Sequence, residues 1–267
     1  MAKGSWFTRE YRMANGITEK TKFFVPEGGK ASSASSRERK RQLRRAEKNA
    51  MEAKQEAARI VNNNFRAGRD YFVTLTLSDE GLRTLIRKAG SEDPDALLLA
   101  MRHEIKLCAK RARYAMRGVT GAELKYFAVA SDIDGKTGEL VRPHIHMIVN
   151  RRAARAVADA WHLGEVKRMD KLYSAHHGDL TDLVEYMLRQ VRVIGNEKRY
   201  IPSRNLEPPK ATAPRPAKNP DAPLRVPKGC AFIWRSEQRE GYAQRLRYYR
   251  PMKGLDPEGA DDGDGLE

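Results

Sequence analysis

Much of the architecture follows from one run, Arg142-Pro-His-Ile-His-Met-Ile-Val-Asn150, in which polar and apolar side chains alternate. Side chains two positions apart on a β-strand leave the same face of the sheet. His144 and His146 therefore share one face, while the apolar residues between and after them face a core. Two imidazoles on one face can bind a single metal ion. For two histidines alone, the alternative is a pair of partly exposed polar residues without a ligand.

The chain has 267 residues and a formal net charge of +16, which suits one main domain with extensions. A strongly basic surface favours nucleic acid as the partner, because neutralised phosphates release their counterions. No apolar run approaches the roughly 18 residues of a membrane span, and the N-terminus has no apolar secretory segment. We therefore expect a soluble cytoplasmic protein with no membrane partner. Cys108 and Cys230 imply neither a disulfide framework nor a cysteine-based zinc site.

The N-terminal part of the chain divides into an arm and a helix. Residues 1–36 include a Gly- and Ser-rich stretch that predicts a flexible arm. Residues 37–66 predict a basic helix with a narrow apolar stripe, which could pack on the main domain or on a second copy of the chain as a dimer. A solvated helix without a specific partner is the alternative. The stripe consists of Leu43, Ala46, Ala50, Ala53, Ala57 and Ile60, and the side chains expected to contact phosphates are Arg37, Arg39, Lys40, Arg41, Arg44 and Arg45.

The core is expected to begin with a strand over Asp70 to Leu77, whose alternation places Thr74 and Thr76 on a polar face that can contact DNA. A long amphipathic helix is predicted between Pro94 and Gly118, and it would cover the sheet. A second strand over Lys125 to Ser131 is then joined by a hairpin to the histidine strand.

Further segments complete this domain, which we assign to residues 67–208. Their patterns predict a helix over 151–162, a strand over 164–170 and a helix over 179–194. Beyond it we expect a Pro-rich linker or strap over 209–229, a basic aromatic segment with a final helix over 230–252, and an acidic tail over 253–267. The fold class is α+β, with a central antiparallel sheet, helices packed on one of its faces and the site on the other.

A metal held by two imidazoles needs a third ligand, commonly a carboxylate. Asp132 is the candidate if Phe127 and Val129 face the core, because Asp132 would then share the opposite face with small residues. With the other parity, Ser131 takes that place. Two further acids, Asp134 and Glu139, are less favoured because acids at hairpin tips are usually solvated.

The helix after Asp179 offers a nucleophile. On a helical wheel Tyr186 lies roughly 120° from the apolar centre, at the boundary of the buried side. A phenol can attack phosphorus when a divalent cation neutralises the phosphate. Arg189, Gln190 and Arg142 would contact phosphate or bound water. An ordinary amphipathic packing role is the alternative for Tyr186.

These residues resemble the motifs of the HUH endonucleases, and within them the replication initiators of rolling-circle plasmids and single-stranded DNA phages. Phe72-Val-Thr-Leu-Thr-Leu77 is similar to their first motif, Pro143-His-Ile-His-Met147 to the metal-binding second, and Tyr186-Met-Leu-Arg189 to the Tyr-x-x-Lys third. The resemblance covers about residues 70–208. It departs from the family at Arg189, where a lysine is usual.

The resemblance implies a concrete activity. A tyrosine nicks a single-stranded or hairpin replication origin, becomes linked to the 5′-phosphate, and frees a 3′-hydroxyl that primes synthesis. His144 and His146, completed by Asp132, would bind Mg²⁺ or Mn²⁺, and Tyr186 would attack. The chain has no nucleotide-binding G-x-x-x-x-G-K-[ST] run, so a host helicase and polymerase would be partners.

Three other interpretations stay open. A relaxase carries its tyrosine before the histidines, and Tyr11 would serve that role; a compact single-tyrosine transposase has the present motif order. Tyr173 is the second choice of nucleophile. A basic DNA-binding protein without catalytic activity is the alternative from a different functional class.

Overall fold

The computed structural model describes residues 4–27, 35–119, 123–195, 197–237 and 242–251, with the backbone alone over 35–46. They fall into two compact units. The first contains residues 4–12, 16–27 and the described part of the chain from 211 onward. The second contains residues 13–15 and the described part of 35–210. The class is α+β, with an antiparallel sheet in each unit.

Strands outnumber helices in the described part of the chain. The strands are β1 (Gly4–Arg12), β2 (Ile17–Pro26), β3 (Tyr71–Thr76), β4 (Tyr126–Ile133), β5 (Leu140–Val149), β6 (Val166–Lys171), β7 (Ile201–Pro202), β8 (Lys210–Ala211), β9 (Arg215–Pro216), β10 (Ala231–Arg235) and β11 (Gln244–Tyr249). The helices are α1 (Ser35–Asn64), α2 (Asp79–Ala89), α3 (Pro94–Ala115), α4 (Ala154–Asp159) and α5 (Thr181–Arg189).

The sheet of the second unit has the order β6-β3-β5-β4-β7. Thr74 lies opposite His146 and Thr76 opposite His144 in the β3–β5 register. Because directly opposed residues of an antiparallel pair share a face, both threonines lie on the histidine face. The alternation predicted for these two strands is confirmed, since Ile145 packs in the core on the other face.

Helices cover both faces of this sheet, so the expectation of helices on one face is wrong. Residues of α2, α3 and α4 pack with one face, whereas α1 and α5 pack with the other. The physical reason is that the histidine face carries apolar residues such as Phe72, Phe127 and Ile148, which need cover from water. The histidine end of the face is left beside an open cavity.

The basic helix predicted over 37–66 is present as α1. Its C-terminal half packs on the sheet and on α5 through Ala57, Ala58 and Val61, all of which are buried. Part of the alanine stripe therefore lies on the chain's own core, since Ala57 contacts it. Among the described residues, no helix is long and apolar enough to cross a membrane.

The flexible arm predicted over 1–36 is wrong for residues 4–26, which form the β1–β2 hairpin. The arm was inferred from the Gly- and Ser-rich stretch, but the aromatic residues before it pair across the hairpin: Trp6 contacts Phe24, and Phe7 stacks on Phe23. Asn-Gly at 15–16 is a common hairpin turn signal, and Gly16 has a φ of 88°.

The final helix predicted over 230–252 is also wrong, because this segment forms strands β10 and β11. Strand β11 alternates Arg245 and Arg247 with Leu246 and Tyr248, a period of two rather than 3.6. It pairs with β2 and β10, giving the order β10-β11-β2-β1-β8, with β9 also on β1. The acidic tail lies outside the described residues.

The Pro-rich segment predicted as a linker or strap over 209–229 contacts the sheet of the first unit. Its short strand β9 pairs with β1, and the ammonium group of Lys22 donates hydrogen bonds to the carbonyls of Pro220 and Ala222, each at 2.7 Å. Leu224 packs against Leu246. Two backbone carbonyls of this segment are thus bound by a side chain from the sheet.

Candidate active site

The two imidazoles of the histidine strand converge. The Nε2 atoms of His144 and His146 are 3.2 Å apart. His146 is buried and stacks on Phe72, with 5.4 Å between ring centroids. His144 is half-buried, and both rings line a cavity of about 680 Å³. The pair predicted from alternation therefore shares one pocket.

The outer nitrogens of both rings have hydrogen-bond partners. His144 Nδ1 lies 3.2 Å from the carbonyl oxygen of Arg142, so this nitrogen donates and leaves Nε2 with a free lone pair. His146 Nδ1 lies 3.1 Å from the hydroxyl of Thr74. Partners of this kind fix the tautomer and orientation of metal-binding histidines. Thr74 thus positions His146, and it also lines the cavity, so its contact with DNA stays a prediction.

Burial lowers the pKa of both histidines. The pKa of His146 falls to about 4 through desolvation and the proximity of His144. Desolvation also lowers the pKa of His144, against the opposing effect of its bond to the Arg142 carbonyl. Both rings are therefore neutral at pH 7, which is the form that binds a metal ion.

A third donor comes from the end of α5. Gln190 is buried, and its Oε1 lies 3.4 Å from His146 Nε2. The amide orientation is set by Tyr186, whose carbonyl can only accept and receives a hydrogen bond from Gln190 Nε2 at 3.2 Å. The hairpin residue Gly135 packs so closely that a Cβ there would lie 3.1 Å from the Gln190 side chain. The sequence predicts that Gln190 contacts phosphate or bound water. The structure additionally places its amide oxygen beside the imidazole of His146.

Tyr186 borders the same cavity. It is 41% exposed, and its ring centroid lies 5.8 Å from that of His146 and 6.4 Å from that of Phe72. The wheel placed Tyr186 at the edge of the buried side, and it occupies that edge, since Val184 and Met187 of the same helix are buried.

A buried polar cluster holds the start of α5. Asn62 of α1 donates to the Asp179 carboxylate at 2.8 Å and accepts from the backbone N–H of Leu180 at 2.9 Å. The Thr181 N–H also donates to Asp179, at 3.0 Å. Since α5 has only nine residues, these bonds fix the rotation that brings Tyr186 to the histidines.

Asp132 is not the third donor. Strand β4 has the opposite parity to the one favoured, because Ala128 and Ala130 pack in the core while Phe127 and Val129 share the histidine face. The register is irregular between Ser131 and Ile133. The described residues contain no group of three His, Cys, Asp or Glu side chains able to hold a metal.

The Asp132 carboxylate is buried and forms a bidentate ion pair with Arg192, whose other nitrogen binds Asp95. Ser131 takes the alternative place on the histidine face, opposite His144. Its hydroxyl donates to the Gln190 carbonyl at 2.7 Å, so Ser131 anchors the third donor.

Arg189 does not line the histidine cavity; it borders a second cavity on another flank of α5. Arg142 does line it, while donating to the Leu77 carbonyl at 3.1 Å and to Asp79 at 2.7 Å. The Thr76 hydroxyl donates to the Glu165 carbonyl at 3.3 Å at the cavity wall.

Three basic side chains of the cavity were missed: Lys136 on the β4–β5 hairpin, and Lys167 and Arg168 on β6. Lys167 and Arg168 lie in a strand that the sequence predicts. The sequence around them does not show that this strand pairs with β3, so their place at the cavity could not be predicted. The guanidinium of Arg168 lies 5.9 Å from the Phe72 ring. The cavity is therefore bordered by cations that suit a polyanion.

The remaining candidates lie elsewhere. Tyr173 is 81% exposed and lines neither cavity, and Tyr11 lies on β1 of the first unit. The side chains of Arg37, Arg39, Lys40, Arg41, Arg44 and Arg45 lie outside the described part of the chain, although the backbone of α1 is described there.

Comparisons with protein-family models, curated proteins and solved structures found no match to this chain. Any assignment of function therefore depends on the residues of the site.

The residues present fit a divalent cation. Two neutral imidazole nitrogens and a carboxamide oxygen point to one place, and each is oriented by a hydrogen bond on its far side. Of the two cations expected, Mn²⁺ accepts imidazole nitrogen more readily than Mg²⁺, which prefers oxygen ligands.

Proposed function

We propose that this protein is a metal-dependent, site-specific DNA endonuclease and strand transferase that acts through Tyr186. In this proposal it initiates rolling-circle replication of a phage or plasmid in the cytoplasm of a host cell, as a member of the HUH superfamily whose core is the sheet with the histidine pair. One observation carries the proposal: an exposed tyrosine lies beside two converging imidazoles and an amide oxygen, in a cavity bordered by cations.

The chemistry is a transesterification. The Tyr186 oxygen attacks phosphorus and loses its proton to water, while the bond from phosphorus to the 3′-oxygen breaks. The 3′-oxygen takes a proton and leaves as a hydroxyl, and the 5′-phosphate stays on the tyrosine. One phosphoester bond breaks as another forms, so rejoining the strand needs no nucleotide cofactor.

Other side chains of the site would hold the cation and bind the DNA. His144, His146 and Gln190 would hold the cation, which when bound supplies charge neutralisation at the scissile phosphate. Arg142, Lys167 and Arg168 attract the flanking phosphates, and the aromatic ring of Phe72 fixes the plane of His146. A single-stranded or hairpin origin is the substrate, with a host helicase and polymerase as partners.

The test uses a library of single-stranded DNA with a randomised centre, incubated with the full chain and Mn²⁺. We expect a covalent protein–DNA adduct that survives denaturation, and mass spectrometry should place the nucleotide on Tyr186. Sequencing the captured strands then gives the recognised site.

Tyr186→Phe removes only the phenolic oxygen and should abolish the adduct. Tyr173→Phe is the matched control, since this exposed tyrosine lines neither cavity, and it should behave as wild type. If Tyr186→Phe still forms the adduct, the nucleophile is misassigned. If wild-type protein binds the library but never forms an adduct, the chain is a DNA-binding protein without this activity.

A further inference from the structure

A second cavity lies on a different flank of α5 from the histidine site. It has a volume of about 460 Å³, and its wall includes Ala50 and Ala53 of α1, Leu188 and Arg189 of α5, and Arg199 and Tyr200 beyond α5. We propose that this α1–α5 cavity binds a nucleoside monophosphate unit of the DNA strand that is cut, about three nucleotides from the scissile phosphate. This inference rests on the proposed function and names how the same site selects its substrate.

The floor of the α1–α5 cavity suits a planar base. Leu188 is buried, and the Tyr200 ring is half-buried and stacks on Phe127 with 4.7 Å between centroids. A ring held by such stacking presents a rigid aromatic surface, and aromatic surfaces bind bases of single strands by further stacking. The volume lies in the range of pockets that enclose small ligands.

The rim suits a phosphate. Within the described part of the chain, Arg189, Lys198 and Arg199 form no ion pair, although all three line this cavity. By contrast, Lys54 is paired with Glu185 at 2.9 Å, and Glu197 is paired with Arg102 at 3.2 Å. Among the described residues the lining acid Glu56 forms no ion pair either. Three cations without an ion-pair partner thus face one such acid, which favours an anionic ligand over a cationic or neutral one.

The alanine stripe explains why the cavity is open. Ala57 is buried where α1 meets the sheet, but Ala53 and Ala50, one and two turns earlier, are exposed. Their methyl groups are too small to reach α5, so the two helices leave a gap. Larger apolar residues at these positions would close it, as the packing of Val61 does farther along.

The cavity is close enough to Tyr186 for one strand to reach both sites. On α5, Glu185, Leu188 and Arg189 face the α1–α5 cavity, while Tyr186 and Gln190 face the histidine cavity. The two groups are roughly 120° apart on a helix about 10 Å wide. About three nucleotides span that distance at the rise of about 3.4 Å per nucleotide of a stacked strand.

The ligands for the test are the four deoxynucleoside 5′-monophosphates, the corresponding nucleosides, and inorganic phosphate. Binding to the full chain is measured by isothermal titration calorimetry at about 0.15 M salt, where surface attraction is screened. We expect a monophosphate to bind and its nucleoside to bind at least about tenfold more weakly, since the nucleoside lacks the charge-assisted hydrogen bonds of the phosphate.

Two variants test the place of binding. Ala53→Trp fills the cavity and should abolish binding of the monophosphate, and Arg189→Gln should weaken it by about tenfold. The matched controls are Ala115→Trp at the exposed end of α3 and Arg83→Gln on α2; neither residue lines the α1–α5 cavity or the histidine cavity, and both should bind as wild type. Circular dichroism verifies that Ala53→Trp is folded, and Arg189→Gln leaves the floor intact in any case.

The outcomes separate this inference from the proposed function. Tyr186→Phe should lose the adduct but keep monophosphate binding, and strands with an abasic site about three nucleotides from the cut should form less adduct. Adduct formation without monophosphate binding, or binding that Ala53→Trp leaves unchanged, would overturn the nucleotide site while the nuclease proposal stands. Binding of inorganic phosphate as tight as that of the monophosphates would also overturn it, because the floor would then have no ligand.

Discussion

Among single side chains, the orientation of Gln190 carries most of the chemistry of the site. Its Nε2 donates to the carbonyl of Tyr186, which directs Oε1 toward His146. The sequence identified the histidine pair, because alternation along one strand places both rings on a face. It could not identify Gln190 as a third donor, since that requires knowing which end of α5 meets β5, 44 residues earlier.

Replacing the amide oxygen should reduce metal affinity. Gln190→Met keeps the length of the side chain but removes its oxygen donor. We expect the Mn²⁺ affinity to fall by at least about tenfold. Gln190→Glu supplies a carboxylate and should bind at least as tightly as wild type. Titration followed by the electron paramagnetic resonance signal of free Mn²⁺ measures both. Equal affinity of wild type and Gln190→Met would remove Gln190 from the site.

The lowered pKa of His146 predicts how stability varies with pH in metal-free protein. Between about pH 6.5 and the folded pKa of about 4, the unfolded chain binds a proton that the folded chain does not. Unfolding therefore becomes easier as the pH falls through this window, by at most about 1.4 kcal/mol per pH unit for this group. Above about pH 6.5 neither the folded nor the unfolded chain binds this proton, so the contribution of His146 to the free energy of unfolding no longer changes with pH.

Urea unfolding at several pH values across that window measures the effect. His146→Gln removes the titrating ring and should show a smaller loss of stability on acidification than wild type. His103→Gln is the control, because His103 is exposed on α3. Identical pH dependence in wild type and His146→Gln would show that burial of His146 does not oppose its protonation.

Among the secondary structure elements, β4 shows where pattern reading fails. Strands β3 and β5 alternate polar and apolar residues, and their parity was predicted correctly. Strand β4 is buried on both faces, so Phe127, Ala128, Val129 and Ala130 give no alternation to read. The packing of α1 and α5 on the second face then decides the parity, and the register with β5 is irregular beside Asp132.

The ion pair between Asp132 and Arg192 should be structural. Asp132→Ala leaves Arg192 without its buried partner, and we expect a loss of about 3 kcal/mol in the free energy of unfolding. Mn²⁺ affinity should stay within about twofold of wild type, because the carboxylate is not among the three donors. Chemical denaturation and the same Mn²⁺ titration give both numbers. A large loss of Mn²⁺ affinity in a folded variant would restore Asp132 as a ligand.

For the molecule as a whole, charge and long-range pairing are the dominant features. The net charge of +16 favours a polyanionic partner, and this prediction requires only the amino-acid composition. The sheet of the first unit was missed because β11 pairs with β2 far along the chain, for example Arg247 with Glu19. No local pattern reports such a partner, and the isolated strands were assigned to an arm and a helix.

The basic half of α1 should contribute to binding through charge alone. Replacing Arg37, Arg39, Lys40, Arg41, Arg44 and Arg45 by Gln should weaken single-stranded DNA binding at low salt. The slope of log K against log salt should fall by up to about 4, at about 0.7 per phosphate contact. Fluorescence anisotropy at several salt concentrations measures the slope. An unchanged slope would leave this helix without a role in phosphate contact.

The pairing of β2 with β11 also governs when the sheet of the first unit can form during synthesis. The hairpin β1–β2 is translated long before β11, so β2 lacks this neighbour until β11 has been made, and closing so long a loop delays folding. Meanwhile the intervening 35–210 segment has all five strands of its own sheet available. The order of translation therefore lets the histidine sheet mature before the other sheet is finished.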